Sequence, residues 1–305
     1  MNKIHFNHWV IVLIILIRAL PFIFSTHAHA ENTADIQPDE INTGQSDEYS
    51  HLSGASRWLD DYRKPVGLTY DAKATLNASY LWRGMYAGGL NLQAEAEVGY
   101  GGLYLNMWWN IGTYDWQFNS FQPEVDLSLG FNRWGLNVYL MYMHFFDCRF
   151  FDFTNYTTDI GNRMELNVRY TLSSKLPLSI LWATRVAAAD GYLNAAGDTV
   201  RAWSSYLELS YTHKFKYDIS LFGAVGITPW KSLYTFFTRD FGVVNIDVRL
   251  RKDWSLSKHC GLMLQGQVMI NPTLLAADPR TAQWHPYTPD AQTVNANISV
   301  GVYLK

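Results

Sequence analysis

The sequence predicts an all-β fold, namely a transmembrane antiparallel up-and-down β-barrel of about 12 strands and of the outer-membrane type. From residue 67 onward, apolar and polar side chains alternate with a period of two, as in residues 294–304, VNANISVGVYL. The inferred connections are alternately long and short, and aromatic residues gather near the strand ends. Together these three features are typical of bacterial outer-membrane barrels.

The first 30 residues have the composition of a secretory signal peptide. Lys3 lies in a polar opening, residues 9–17 form an unbroken apolar run, and the motif AHA at 28–30 has the small residues that a signal peptidase requires. We therefore predict that residues 1–30 are a signal peptide, cleaved at its last alanine. The remaining chain is expected to be exported.

The next segment, residues 31–65, is rich in Asp and Glu and holds few large apolar side chains before Trp58. Such a segment cannot bury enough apolar surface to offset the entropy cost of ordering. We expect a polar, mobile periplasmic tail, and a small plug formed around residues 58–62 is the alternative. The barrel is then predicted to occupy residues 66–305.

Twelve segments of the predicted barrel carry the alternation. We place the strands at residues 68–82, 90–100, 103–114, 123–131, 136–146, 161–173, 178–189, 201–215, 218–228, 240–252, 261–271 and 292–304. These lengths suit a membrane, because a tilted transmembrane strand needs about 9 to 11 residues. A water-soluble β-sandwich also alternates, but it does not require aromatic residues at strand ends, such as Trp134 and Trp254, where a membrane interface favours them.

The second and third predicted strands illustrate the pattern. Apolar residues of 90–98 share one face, which we assign to lipid, and Glu95 and Glu97 share the other face, which we assign to an aqueous interior. Gly101 and Gly102 follow, and two residues without a Cβ atom suit a tight turn. We expect this turn on the periplasmic side.

Most of the charged residues on the predicted strands have inward parity. The candidate lumen-lining residues are Asp71, Lys73, Glu95, Glu97, Glu124, Asp126, Arg163, Glu165, Arg169, Arg185, Glu208, Asp247, Arg249 and Arg251. Most acids lie on early strands and most bases on later strands, which would set up a field across a water-filled lumen. In the alternative interpretation, the two signs pair into a salt-bridge network that fills the interior.

The predicted number of strands leaves the width of the interior open. About eight strands enclose an interior filled by side chains, and sixteen or more leave a clear channel. Several bulky side chains of inward parity would narrow the lumen: Trp108, Tyr139, Met141, Met143 and Phe222.

We predict an outer-membrane porin-like channel for passive diffusion of small solutes through a narrow polar lumen. The alternative is a non-conducting structural or surface-display barrel that acts through long extracellular loops, such as residues 272–291.

An outer-membrane hydrolase is a further alternative. A phospholipase-like site needs a Ser beside a His, but Ser205 and His213 lie on one predicted strand, about 27 Å apart at the rise of a strand. A protease-like cluster near the rim would consist of His144, Asp147, Asp152 and Asp159. Acidic loop residues are usually only solvated, so we predict that the chain is not an enzyme.

No motif points to a cofactor, a metal ion or a nucleic acid. His259, Cys260 and His285 lack a second ligand pair at the spacing of a metal site. The formal net charge of -3 gives no basic footprint for nucleic acid. The expected partners are outer-membrane lipids and small solutes, and a homo-oligomer is left open.

The two cysteines are predicted to lie at opposite ends of the barrel. Cys148 falls in a long outer loop and Cys260 in a short inner turn. A membrane-spanning band of about 25 Å would separate them, whereas the Cα atoms of a disulfide lie within about 7 Å of each other. We therefore expect no disulfide.

One segment resembles a known family. Tyr80-Leu81-Trp82-Arg83-Gly84 ends the first predicted strand, and Gln93 and a Gly-rich turn follow. These residues, within 75–112, resemble the opening hairpin of the TorF-type family, uncharacterised porins of Gram-negative outer membranes. The resemblance implies a barrel with a passive-channel role in the cell outer membrane of a Gram-negative bacterium. It places Trp82, Arg83 and Gly84 at a strand end and supplies no catalytic residues.

Overall fold

The computed structural model describes residues 67–112, 123–145, 149–153, 161–173, 175–275 and 294–304. The predicted signal peptide, the predicted tail and most of the loop at 272–291 lie outside these residues. The signal peptide and the tail therefore stay predictions.

Strands make up most of the described chain. In chain order they are β1 (Leu68–Asn77), β2 (Tyr80–Trp82), β3 (Met85–Gly88), β4 (Asn91–Tyr100), β5 (Leu103–Gly112), β6 (Glu124–Arg133), β7 (Leu136–Phe145), β8 (Arg163–Thr171), β9 (Leu178–Ala188), β10 (Gly191–Leu193), β11 (Thr199–Arg201), β12 (Ser205–Lys214), β13 (Ile219–Thr228), β14 (Gly242–Ser255), β15 (Cys260–Ile270) and β16 (Val294–Leu304). Twelve of them close into one barrel, in the order β1-β16-β15-β14-β13-β12-β9-β8-β7-β6-β5-β4. Each pairs antiparallel with its neighbours, and the barrel closes where β1 pairs with β16, from Ala72 opposite Leu304 to Asn77 opposite Ser299. The predicted fold of about 12 antiparallel strands is confirmed.

The first predicted strand is wrong in its last third. The wall strand β1 ends at Asn77, and residues 80–82 pair instead with residues 85–88 in a separate hairpin, β2–β3. The chain leaves the wall at residues 78 and 79, where the N–H of Ala78 donates to the carbonyl of Ile298 and the N–H of Ser79 donates to Oδ1 of Asn297. The alternation of polar and apolar residues continues through β2, because the two faces of a hairpin in the lumen also differ in polarity.

Two other predicted strand bounds differ from the structure by more than two residues. The strand predicted at 201–215 begins only at Ser205, because residues 199–201 pair with 191–193 in a second small hairpin, β10–β11. The strand predicted at 240–252 continues to Ser255, so it carries one further inward carboxylate, that of Asp253.

Side chains of the barrel strands alternate between two environments. On β16, Ile298 and Val300 are 63% and 53% exposed on the outer face, whereas Asn297 and Ser299 are 5% and 0% exposed inside. Closing the sheet leaves no unpaired strand edge, and an apolar outer face suits lipid, so this structure can cross a bilayer with strands alone. The chain is therefore an outer-membrane β-barrel, as the sequence predicts.

The two ends of the barrel carry different connections. Gly101 and Gly102 form a tight turn with φ of 64° and 98°, as expected. This turn lies at the end where β1 begins and β16 ends, and the β2–β3 hairpin starts at the other end. Short turns are periplasmic in outer-membrane barrels, so the β2–β3 hairpin enters from the extracellular side.

Helix is rare in the described chain. A 3-10 helix at Leu233–Thr235 lies between β13 and β14, and a short α-helix at Pro272–Leu275 follows β15. Within the described ranges, no helix is both long and apolar enough to span a bilayer.

The core of the protein sits inside the barrel. It consists of Tyr104, Tyr139, Met141, Met143, Leu181, Ala183, Tyr206, Phe222, Ala224, Tyr234 and Val244. Trp82 and Met85 of the β2–β3 hairpin pack against this cluster. Because this contact removes apolar surface from water, it stabilises the hairpin in its inward position.

Candidate functional site

The β2–β3 hairpin crosses the barrel interior. Its turn consists of Arg83 and Gly84, with φ of 46° and 84°. Positive φ at both central residues is the property of the two-residue turn that best matches the twist of paired strands. Arg83 is 2% exposed, so the turn is the buried tip of the hairpin. Trp82, Arg83 and Gly84 do lie at a strand end, as predicted, but the strand is β2 of the hairpin and not the wall strand predicted at 68–82.

The Arg83 guanidinium binds the far wall. Its Nη1 donates to Oε2 of Glu165 at 2.9 Å and to the hydroxyl of Tyr234 at 2.6 Å, and its Nη2 donates to Oδ1 of Asn167 at 3.0 Å. Glu165 and Asn167 belong to β8, and four wall strands, β4 to β7, separate β8 from β1. The hairpin tip therefore reaches almost the full width of the lumen.

Aromatic rings surround the same guanidinium. The Arg83 carbon Cζ lies 4.8 Å from the ring centroids of Trp82 and Tyr206 and 5.9 Å from that of Tyr234. Burial raises the pKa of the Tyr234 hydroxyl above its ordinary value, and the nearby Arg83 charge opposes this shift. Tyr234 is thus a neutral phenol that donates to Oε2 of Glu165 at 3.2 Å.

Gly84 brings the backbone of the hairpin against β14 and β15. Its N–H donates to the sulfur of Met269 at 3.1 Å, and its carbonyl accepts from Nδ2 of Asn271 at 3.2 Å. A Cβ atom at Gly84 would overlap the carbonyl oxygen of Val244. Only glycine therefore fits at this position without a shift of the hairpin or of β14.

All the predicted lumen residues are buried or half-buried on the barrel strands. The half-buried ones are Asp71, Lys73, Glu97, Asp126 and Arg163, and the buried ones are Glu95, Glu124, Glu165, Arg169, Arg185, Glu208, Asp247, Arg249 and Arg251. The acids of β1, β4 and β6 lie on one side of the barrel, and the arginines of β8, β9 and β14 lie on the rest of the wall.

Most of the arginines inside the barrel are paired with carboxylates. The ion pairs, by their shortest distances, are Arg83–Glu165 at 2.9 Å, Arg169–Glu208 at 3.5 Å, Arg185–Asp190 at 4.0 Å, Arg249–Asp247 at 2.5 Å and Arg251–Asp253 at 2.7 Å. The salt-bridge interpretation therefore describes the arginine side of the barrel. Sequence reasoning missed Asp253, because the predicted strand stops one residue before it. It also missed Asp190, because that residue follows a predicted strand end and is expected in a loop.

A small cavity remains between the hairpin and the wall. Its volume is about 40 Å³, enough for a few water molecules at roughly 10–15 Å³ each. The hairpin and the residues before it contribute Ser79, Tyr80, Leu81, Trp82 and Arg83. The wall contributes Asn77, Gln93, Asn106, Trp108, Asp126, Ser128, Tyr139, Met141, Arg249, Gln267 and Asn297. The lining is thus a mixture of amides, aromatic rings and a few charges.

The residues of the hydrolase alternative have other contacts. The Ser205 hydroxyl donates to Oγ1 of Thr184 at 2.8 Å. His144 lies 3.0 Å from Oδ1 of Asn162 through Nδ1, and its ring packs against Phe150. Asp152 is half-buried, and Asp147 and Asp159 lie outside the described residues.

The metal and disulfide predictions are tested only in part. In the described part of the chain, no group of three or more His, Cys, Asp or Glu residues could hold a metal ion. Cys260 is a free thiol. Cys148 lies outside the described residues, so the absence of a disulfide stays a prediction.

No protein-family model matches the chain, and no curated protein matches it. Several solved structures are similar in fold. The NanC porin is 11% identical, with 78% of this chain and 100% of that chain covered and a TM-score of 0.42. An outer membrane channel from Pseudomonas putida F1 is 11% identical (80% and 97% covered, TM-score 0.38), and an anion-selective porin from Comamonas acidovorans is 10% identical (79% and 99% covered, TM-score 0.31). Because the identities and scores are this low, we take neither solute nor mechanism from these proteins, and the TorF-type resemblance stays a prediction.

Proposed function

We propose that the chain is a porin-like channel of the outer membrane, through which small solutes diffuse passively. The observation that carries this proposal is the β2–β3 hairpin, which crosses the interior of a closed barrel and leaves beside it a small cavity with a mixed polar and apolar lining. On this proposal the hairpin is the constriction of the channel, and the cavity is the part of the path that limits the size of a solute.

The polarity of the interior supports a water-filled path. Gln93, Asn106, Gln267 and Asn297 all line the cavity, and each is buried inside the barrel. Amide groups can replace part of the hydration shell of a passing solute, as polar groups do in channel linings. A barrel with only a structural role would gain more stability from apolar side chains at these positions.

The volume of the cavity supports a narrow channel. About 40 Å³ is enough for a few water molecules but not for a drug-sized ligand, whose pockets span roughly 300–1,000 Å³. Buried Tyr139 and Met141, both on β7, occupy space beside the cavity. We therefore expect small solutes to pass and larger ones to be excluded.

Conductance of the refolded protein tests this proposal. The chain without residues 1–30 is folded in detergent, and a heat-dependent change in gel mobility verifies the barrel. In planar bilayers we expect steady current steps that are small compared with those of wide porins. In a liposome swelling assay, glycine should enter faster than sucrose. Heat-denatured protein is the control for both assays.

Two results would oppose the proposal in different ways. A barrel that shows the gel shift, but neither conducts nor lets glycine into liposomes, contradicts the channel and supports the non-conducting structural or display barrel. A barrel that admits glycine and sucrose at equal rates contradicts the constriction but not the channel.

A further inference from the structure

The charged side chains that line the cavity are already bound to other groups. Three of them belong to the lining, namely Arg83, Arg249 and Asp126. Arg83 pairs with Glu165 at 2.9 Å, and Arg249 pairs with Asp247 at 2.5 Å. The two positive charges of the lining are therefore each neutralised by a carboxylate of the wall.

Asp126 is one half of a carboxyl pair. Its side chain makes a hydrogen bond with that of Glu124 on the same strand, and Arg163 interacts electrostatically with both. A hydrogen bond between two carboxyl groups requires a proton on one of them, so the pair carries one negative charge. The positive charge of Arg163 balances it. The lining is thus neutral as a whole, and an ion gains no counter-charge in exchange for the water that it must shed here.

Gln93 brings an unbound amide to this neutral lining. It lies on β4, is 5% exposed and lines the cavity. Within the described ranges, its side-chain amide makes no hydrogen bond. An amide has two N–H donors and an acceptor oxygen, and a buried polar group without a partner costs free energy. A solute that both donates and accepts hydrogen bonds would satisfy the two ends of this amide.

Gln93 differs in this respect from two other amides of the lining. Nδ2 of Asn106 donates to Oε1 of Glu95 at 2.7 Å, and Nε2 of Gln267 donates to Oδ2 of Asp247 at 3.1 Å. The donors of those two amides are therefore used to orient them within the wall. Gln93 is free to use its donors and its acceptor on a solute.

Aromatic rings lie beside Gln93. In the strand register Gln93 is paired with Asn110 of β5, and Trp108 lies two residues from Asn110 on the same face of that strand. Such diagonal neighbours are about 7–8 Å apart, within reach of an aromatic side chain. The ring centroids of Trp108 and Tyr80 are 5.5 Å apart, and both residues line the cavity. Apolar ring surfaces next to one hydrogen-bonding group are the usual composition of a site for a small uncharged molecule.

We propose that this cavity admits small uncharged amides in preference to ions and zwitterions, and that Gln93 is the residue that binds them. The inference rests on the proposed channel function and names its solute class. The amide of the solute would donate to the Gln93 oxygen and accept from its nitrogen, beside the rings of Trp108 and Tyr80. The volume of about 40 Å³ holds a few water molecules, so it restricts the solute to a few heavy atoms.

A pair of isomers tests the preference. Glycolamide and glycine consist of the same atoms, but glycolamide is uncharged, whereas glycine is a zwitterion at neutral pH. Each is offered to liposomes that contain the refolded wild-type protein, and the swelling rate of protein-free liposomes is subtracted. Glycolamide should enter several times faster than glycine, because it gives up less hydration in the neutral lining.

Substitution of one amide identifies the residue. Gln93→Leu keeps a side chain of similar size and removes its hydrogen bonds, so glycolamide should enter about two- to tenfold more slowly, the effect of one lost hydrogen bond. Gln93→Asn keeps an amide and should retain part of the rate. The matched control is Asn110→Leu, because Asn110 is paired with Gln93 and is 4% exposed but does not line the cavity. It should leave the rate unchanged.

The possible outcomes separate the inference from the proposed function. A folded wild-type channel that admits glycine as fast as glycolamide overturns the inference and leaves the channel in place. A folded barrel that admits neither solute overturns both. A glycolamide rate that Gln93→Leu leaves unchanged, or that Asn110→Leu lowers equally, overturns the role of Gln93. If Gln93→Leu does not fold, Gln93→Asn decides, since a rate between that of the wild type and that of protein-free liposomes supports the role and an unchanged rate overturns it.

Discussion

At the scale of single residues, Arg83 holds the hairpin in place. Its φ of 46° lies in the left-handed region, which costs a residue with a side chain about 1–3 kcal/mol unless contacts compensate. Glu165, Asn167 and Tyr234 supply those contacts across the lumen. The backbone conformation of Arg83 and its ion pair therefore depend on each other.

The first prediction concerns this ion pair. Arg83→Met should lower the free energy of unfolding by about 3–5 kcal/mol, because it leaves the buried Glu165 carboxylate without its cation. Adding Glu165→Gln to that variant should recover part of the loss, since no charge then stays buried without a partner. Urea unfolding of the barrel in lipid vesicles measures both values. A loss for the single variant below about 1 kcal/mol, the value of an exposed pair, would contradict the buried contact.

The second prediction compares two glycines with the same backbone conformation. Gly84 and Gly197 both have φ of 84°, but a Cβ atom would overlap Val244 only at Gly84, and it would meet no atom within 4 Å at Gly197. Each change to Ala costs about 1 kcal/mol for the left-handed backbone. Gly84→Ala should cost clearly more in urea unfolding and should also increase the conductance, because the hairpin must shift. Equal effects of the two substitutions would show that the close approach to β14 is absent.

At the scale of elements, the sequence predicts the wall much better than the interior. The period of two identifies the twelve wall strands, because lipid and lumen impose opposite polarity on neighbouring residues. The same period cannot show that residues 80–82 leave the wall. The signal that could have shown it is the turn-forming pair Arg83-Gly84, followed by a second pair, Gly88-Gly89, shortly before β4.

Sequence reasoning could have predicted only some of the ion pairs. Parity predicts that Arg249 and Arg251 point inward, and residues two positions away on the same strand, Asp247 and Asp253, share their face. These two pairs could have been predicted from spacing alone. The contact between Arg83 and Glu165 could not, because it joins residues 82 positions apart and depends on how the hairpin folds into the lumen.

At the scale of the whole molecule, the barrel encloses a large interior, but most of that interior is occupied. Side chains alone fill the interior of an eight-stranded barrel, and twelve strands enclose a larger interior. The β2–β3 hairpin and the apolar cluster around Tyr206 and Tyr234 occupy much of that space. The remaining cavity is small and has a mixed polar and apolar lining, so we expect a selective channel and not a wide pore.

The most direct test removes the hairpin. Residues 78–90 are replaced by an Asn-Gly turn, which can join Asn77 to Asn91 because these two residues are already paired. The matched control replaces residues 191–201, the β10–β11 hairpin, whose turn is exposed, in the same way. Single-channel conductance is then compared with that of the wild type in the same bilayer. We expect a much larger conductance for the first variant and an unchanged one for the control, and a first variant that folds and conducts like the wild type would contradict the hairpin's role as the constriction.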